Sequence, residues 1–160
     1  MTDTQQFQAD TDWLAPMTVG EYETKYPVPE VGTYIFQLVE KGPNELKSPE
    51  YNKTGDQMQA RFFFKILDDP DYADQTIMQF FSITFGPKAK IRPFIEAGIG
   101  RKLKPTDKIG WRANPNDPDS VGLEGLLFRA TLTHNDNGYA VLSSPLPLKE
   151  KDRQQYAVPF

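Results

Sequence analysis

The sequence predicts an all-β domain that carries one helix, and three observations predict it. Residues 57–67, and less cleanly 33–41, follow the period of 2 expected of strands with one face buried. Asn135-Asp136-Asn137-Gly138 is a strong hairpin signal between two further β-rich segments. The stretch with helical spacing, Ile91, Phe94 and Ile95, falls between the third strand and the fourth.

Residues 1–30 are polar and interrupted by Pro16, Pro27 and Pro29, so they read as an arm, with Trp13-Leu14 as a candidate anchor against the body. The first strand, 33–41, puts Tyr34, Phe36 and Leu38 on one parity and Ile35, Gln37 and Val39 on the other, and Gly42-Pro43-Asn44 ends it. A polar loop over 45–56 follows, with Tyr51, Lys53 and a turn at Thr54-Gly55-Asp56. The second strand, 57–67, has the cleanest alternation: Ala60, Phe62, Phe64 and Ile66 form one face, Gln59, Arg61, Phe63 and Lys65 the other. Asp68-Asp69-Pro70-Asp71 turns the chain into the third strand, 75–84. There Ile77, Phe81 and Ile83 share a parity with Gln79, and Met78 and Phe80 share the other with Ser82. Both faces are partly apolar, so this strand either bends between two environments or offers apolar groups outward.

The helix is expected over 88–97, with Pro87 at a first helical position and Gly98 as C-terminal cap. Pro93 conflicts with that span, because inside a helix it removes a hydrogen bond; the helix is short or starts late. Residues 99–121 read as a long connection. The fourth strand, 126–133, and the fifth, 139–143, flank the hairpin turn, and 145–160 is a Pro-containing polar tail. The resulting order β-β-β-α-β-β is that of the OB-fold, a five-stranded Greek-key barrel. A sandwich would want about seven strands and no such helix. The organisation is an arm at 1–30, a barrel domain at 31–144 and a tail at 145–160.

A chain of 160 residues can bury a core of its own. No apolar run approaches the ~20 residues that span a bilayer, and residues 1–6 have neither the basic nor the apolar region of a secretory signal, so no membrane is expected among the partners. The absence of cysteine excludes disulfides and thiolate metal sites and fits a reducing compartment, which makes the sequon Asn52-Lys53-Thr54 accidental. Motifs for hydrolysis or nucleotide phosphates are missing, and Gly98-Ile99-Gly100 follows a helix and lacks the third glycine of a dinucleotide fingerprint. His134, the sole histidine, reads as a surface residue beside the hairpin turn. Asp68, Asp69, Asp71 and Asp74 offer hard-cation ligands, but their spacing matches no EF-hand and a plain acidic turn is favoured. Neither an enzyme nor a cofactor is expected.

The net charge of −4 is unevenly spread. Residues 1–31 hold six acids and one base, whereas residues 84–112 hold eight bases and two acids. The outward face of the second strand reads Arg61, Phe63, Lys65, and an exposed phenylalanine between two cations needs a reason. Single-stranded nucleic acid supplies one: bases stack on aromatic rings at roughly 1–3 kcal/mol each while cations follow the phosphates. Phe80, with Met78, would continue the platform on the third strand, and Arg129 would join from the fourth. Tyr51 and Lys53 lie in the loop that borders the ligand groove of OB-folds. Lys88, Lys90, Arg92 and Trp111 would extend the track. The alternative is that Phe63 and Phe80 are covered by the arm, the 99–121 connection or a second subunit, and that the basic stretch is a solvated face; the residues leave both open.

This pattern resembles phage-encoded single-stranded DNA-binding proteins of the OB-fold type. The likeness is carried by the polar arm, Val31-Gly32-Thr33-Tyr34 opening the first strand, the Phe-rich second strand, Tyr72-Ala73-Asp74-Gln75-Thr76-Ile77-Met78-Gln79-Phe80-Phe81-Ser82-Ile83, and Lys90-Ile91-Arg92-Pro93-Phe94-Ile95-Glu96-Ala97-Gly98-Ile99; it covers about residues 28–143. It implies binding of single-stranded DNA with little sequence preference, in support of replication or recombination, in the cytoplasm of a host cell. Pro159-Phe160 looks like the Pro-Phe tip with which bacterial single-stranded DNA-binding proteins dock partner enzymes. Two rival readings stand beside it: a sugar- or protein-binding barrel module, whose sugar form has no use for cations beside Phe63, and a structural protein that forms a homo-oligomer through its outward aromatics.

Overall fold

The computed structural model describes residues 28–55, 57–73 and 75–156; Trp13-Leu14, Asp56, Asp74, Pro159 and Phe160 lie outside them. The chain runs β1 (Gly32–Lys41), β2 (Glu45–Leu46), β3 (Met58–Ile66), β4 (Thr76–Ser82), α1 (Arg92–Ile99), β5 (Lys108–Gly110), β6 (Ser120–Gly122), β7 (Leu127–His134), β8 (Ala140–Leu146) and α2 (Glu150–Tyr156). The five expected strands are β1, β3, β4, β7 and β8, and the expected helix is α1. A short strand β2, a parallel pair β5–β6 within the long connection and a second helix α2 were not expected from the sequence.

The long strands form one antiparallel sheet in the order β4-β3-β1-β7-β8, with β2 pairing Met58 and Gln59 at the start of β3. The two ends of this order come close together, and the Gln79 side-chain oxygen on β4 accepts the Leu142 N–H of β8 at 2.9 Å. No ladder joins β4 to β8, so the sheet stays open along that seam.

The inward parities meet in a phenylalanine core. Phe36, Phe62, Phe64 and Phe128 are essentially inaccessible, each side chain contributing about 1.5–3 kcal/mol by leaving water. Phe64 meets Phe128 edge to face at 5.7 Å between centroids, Phe36 stacks on Phe128 at 6.0 Å, and Phe94 from α1 completes the cluster 5.3 Å from Phe81 and 5.5 Å from Phe128. Of the two behaviours open to the third strand, β4 shows the second. Ile77 and Phe81 point inward, while Met78 and Phe80 are each 41% exposed.

α1 starts four residues later than the 88–97 reading, which removes the conflict at Pro93. That residue sits in the first turn, where its missing N–H has no intrahelical partner to lose. The C-terminal cap is Gly100, at φ 77°, whose N–H donates to the Glu96 carbonyl at 2.9 Å. Gly98, expected to be that cap, is buried instead: a Cβ there would lie 2.8 Å from Leu126 Cδ2.

The segment read as a tail is largely structured. β8 continues to Leu146 past a bulge at which Ser144 takes φ 52°, and α2 follows. Leu148 is buried with Ile35 and Leu127 on the outer side of β1 and β7, flanked by Leu67 and Tyr156. Arg153 Nη1 donates to the Gly98 carbonyl at 3.0 Å. A single expected helix thus becomes two, since α2 has no apolar repeat to announce it and is held by Leu148 just before it, Tyr156 at its end and its polar contacts to the sheet and α1.

The acidic turn is a plain one where it is described. Asp68 Oδ1 accepts the Ile35 N–H and Asp69 Oδ1 the Asp71 N–H, each at 3.0 Å, opening a short 3-10 helical turn at Pro70–Tyr72. Among the described residues no group of acids or histidine is arranged to hold a metal ion, and no helix is long and apolar enough to cross a membrane. The hairpin forms at its signal, with Asn135 Oδ1 accepting the Asn137 and Tyr139 N–H groups at 3.0 Å and Gly138 at φ 82°. His134 is exposed and its Nε2 lies 2.7 Å from the Pro29 carbonyl oxygen.

Candidate nucleic-acid interface

Ala60, Phe62, Phe64 and Ile66 are buried, so the alternation of β3 turns Gln59, Arg61, Phe63 and Lys65 outward. The β3–β4 register sets Arg61 opposite Phe80, Phe63 opposite Met78 and Lys65 opposite Thr76. Residues directly opposite in an antiparallel pair share a face. The product is an outward row in which aromatic and cationic groups alternate, with the Arg61 guanidinium 5.3 Å from the Phe80 ring centroid. Phe63 is half-buried and faces Glu40 of β1 on its other side.

This row opens into a cleft of about 390 Å³ lined by Lys47, Tyr51, Gln59, Phe80, Lys88 and Lys90, among others. A second hollow of about 450 Å³ shares Lys47, Ser82 and Thr84 with it and continues past Gln57 and Met58, so the two form one groove. Tyr51 stands at the end of the short helical turn Pro49–Tyr51 and is 67% exposed. Lys88 and Lys90 come from the approach to α1.

The basic stretch divides into spoken-for and free cations. Arg92 is structural: Nε meets Glu96 Oε2 at 3.2 Å, Nη1 donates to the Phe85 carbonyl at 3.2 Å, and Nη2 to the Leu103 carbonyl at 3.0 Å. Arg101 pairs with Asp107 at 2.9 Å, Lys108 with Asp117 at 3.0 Å, and Arg112 with Glu124 at 3.1 Å. The Arg101 guanidinium and the Lys104 N–H hold the Asp107 carboxyl down at about 2. Lys88, Lys90 and Lys104 of this stretch, and Lys47 outside it, have no ion pair among the described residues.

The chain matches no protein-family model, no curated protein and no solved structure. The interface therefore stands on its own chemistry: exposed aromatic faces, unpaired cations and no carboxylate in the cleft lining, which suits a planar, anionic ligand.

Of the residues expected from the sequence, Tyr51, Phe80, Lys88 and Lys90 meet in the cleft, and Arg61, Phe63 and Lys65 lie on the adjoining sheet face. Lys53 is exposed in the turn after Tyr51 and does not line the cleft. Three expected residues are engaged away from the cleft. Arg92 has its donors occupied at the base of α1; Trp111 is half-buried against the core; Arg129 pairs with Asp152 of α2 at 3.3 Å. Lys47 joins the cleft unforeseen, because the β2–β3 pairing that sets its position rests on two residue pairs too short to read from a pattern. Gln59 was legible as outward by parity, without a sign that it reaches a cleft.

Proposed function

We propose that this chain binds single-stranded DNA with little sequence preference and protects it during replication or recombination. The observation that carries the proposal is Phe80, exposed with Arg61 across its ring, at the edge of a cleft walled by Tyr51 and three lysines and free of acids. Every base has a face that can stack on such rings, at roughly 1–3 kcal/mol each, and lysines follow a backbone whatever its sequence. Neither contact reads base edges, so little preference follows.

The fold supports the reading as an OB-type barrel. The long strands run β4-β3-β1-β7-β8, the seam between the end strands is bridged by Gln79, and α1, between the third and fourth long strands, packs on β7 and β8. The aromatic row lies on the second and third long strands beside the loop joining the first two, which is where OB-folds take oligonucleotides. On this reading the protein works as a binder in the cytoplasm of a host cell and needs no cofactor.

Fluorescence-anisotropy titration with a labelled oligo-dT strand tests it. The expected result is binding at micromolar protein or below that weakens steadily as salt rises. A flat signal at low salt overturns it; a flat signal with protein that self-associates would make the outward aromatics a homo-oligomer surface.

A further inference from the structure

The charged lining of the cleft is wholly cationic. Ten residues line it, three of them lysines and none acidic. Elsewhere in the basic stretch Arg101, Lys108 and Arg112 each face a carboxylate at 2.9–3.1 Å, and Lys104, which has no ion pair among the described residues, lies outside the cleft lining. Three unmatched lysines about one hollow repel each other, and the arrangement favours a ligand that brings more than one negative charge. An internal phosphodiester brings one. A phosphate monoester brings about 1.5–2 at neutral pH, with three free acceptor oxygens.

We infer that this cleft takes the terminal phosphate monoester of a DNA strand, so that the protein engages phosphorylated strand ends in preference to strand interiors. The inference rests on the DNA-binding reading and deepens it. Lys47, Lys88 and Lys90 hold the phosphate, and Tyr51 and Phe80 offer faces to the terminal base. The continuous hollow beyond Lys47, past Gln57 and Met58, gives the rest of the strand a way out, and its lining is also free of acids. Lys47 gains a role in this arrangement that its position in a short loop does not suggest.

The test compares three oligo-dT strands of about ten nucleotides, within the span of one such domain. All carry the same internal fluorophore; one has a 5′-phosphate, one a 3′-phosphate and one neither. The expected result is that one phosphorylated strand binds about tenfold more tightly than the unphosphorylated one, the size of an added charge-assisted contact. Which of the two gains fixes the polarity of the strand in the groove. In the K47Q/K88Q/K90Q variant, checked for an unchanged melting temperature, the gain disappears, whereas Phe80→Ala weakens all three strands together. Equal affinity of the wild type for the three strands overturns the terminal-phosphate assignment and leaves the DNA-binding reading standing. A gain that persists undiminished in the triple variant overturns the assignment to this cleft. Failure of every strand to bind overturns both.

Discussion

Arg61 and Phe80 stand directly opposite each other on β3 and β4, and the guanidinium carbon lies 5.3 Å from the ring centroid. A cation over an exposed ring contributes about 0.5–1 kcal/mol, so the pair holds its own geometry without help from the core. On the proposed reading a base stacking on Phe80 would take the place of the guanidinium over the ring and leave it to the phosphates. Phe80→Ala therefore weakens oligo-dT binding by about 1–3 kcal/mol in an anisotropy titration while leaving the thermal midpoint nearly unchanged. Unaltered affinity in that variant would remove the outward row from the site.

Phe62 and Phe63 are neighbours in sequence and opposites in energy. Phe62 is completely buried against Phe81, at 5.6 Å between ring centroids, whereas Phe63 is half-buried on the outward face. Phe62→Ala is expected to cost about 3–5 kcal/mol of stability in urea denaturation. Phe63→Ala is expected to cost much less stability and to weaken DNA binding instead. Similar stability losses in the two variants would contradict the parity of β3.

That parity was legible because β3 is long and pairs on both edges, so its alternation has to match a buried side and an open one. The same physics made β4 ambiguous. Met78 and Phe80 are apolar residues on an open face, and a pattern alone cannot distinguish an exposed aromatic from a covered one. The late start of α1 was half legible, since Pro93 forbids a helix interior but does not say which turn becomes the first. α2 was illegible because its seven residues carry no apolar repeat and none of them is buried; its place depends on Leu148 and two arginine contacts made across the chain. The cleft was legible by residue type at Tyr51, Lys88 and Lys90. Arg92 shares the composition of that stretch but is turned by the helix start toward the Phe85 and Leu103 carbonyls.

Arg92 therefore separates stability from binding. Two of its three contacts tie the first turn of α1 to the segments on either side, and removal leaves the Phe85 and Leu103 carbonyls without that donor and Glu96 with only the Leu103 N–H and Lys102. Arg92→Ala is expected to lower stability by about 2–3 kcal/mol, and Arg92→Lys to recover little of it, because an ammonium cannot reproduce the fork. The affinity of the folded fraction for oligo-dT stays unchanged. A selective loss of binding with normal stability would return Arg92 to the interface.

Stability falls in acid through three carboxylates. Asp107 is held at about 2, against an ordinary 3.8, by the Arg101 guanidinium and the Lys104 N–H. Asp117 is lowered by Lys108 and the Asp119 N–H. Burial opposes the charge on Glu96, but the Leu103 N–H and the Arg92 guanidinium outweigh it and bring the group below its ordinary 4.5. A carboxyl whose folded pKa is depressed contributes fully above its unfolded value and loses that contribution as pH falls through the folded one. The urea midpoint should therefore hold above pH 4.5 and decline from there toward pH 2. Asp107→Asn should remove part of the slope, and an unchanged slope would show that the Arg101 pair adds nothing in solution.

α2 is attached by few contacts, and this gives the last prediction. Only Leu148 is buried at its start; the helix adds the Arg129–Asp152 pair at 3.3 Å and the Arg153 contact to the Gly98 carbonyl. Seven residues do not hold a helix in water without tertiary support. Leu148→Ala removes the anchor, so α2 should open locally while the phenylalanine core stays folded. Trypsin should then cut at Lys149, Lys151 and Arg153 well before it cuts the strands, in a variant whose main thermal transition is close to that of the parent. Opening also releases Arg129 from Asp152 on the outer side of the sheet, so the affinity of Leu148→Ala for oligo-dT should equal or exceed that of the parent. Reduced affinity with intact strands would mean that α2 belongs to the binding surface rather than beside it.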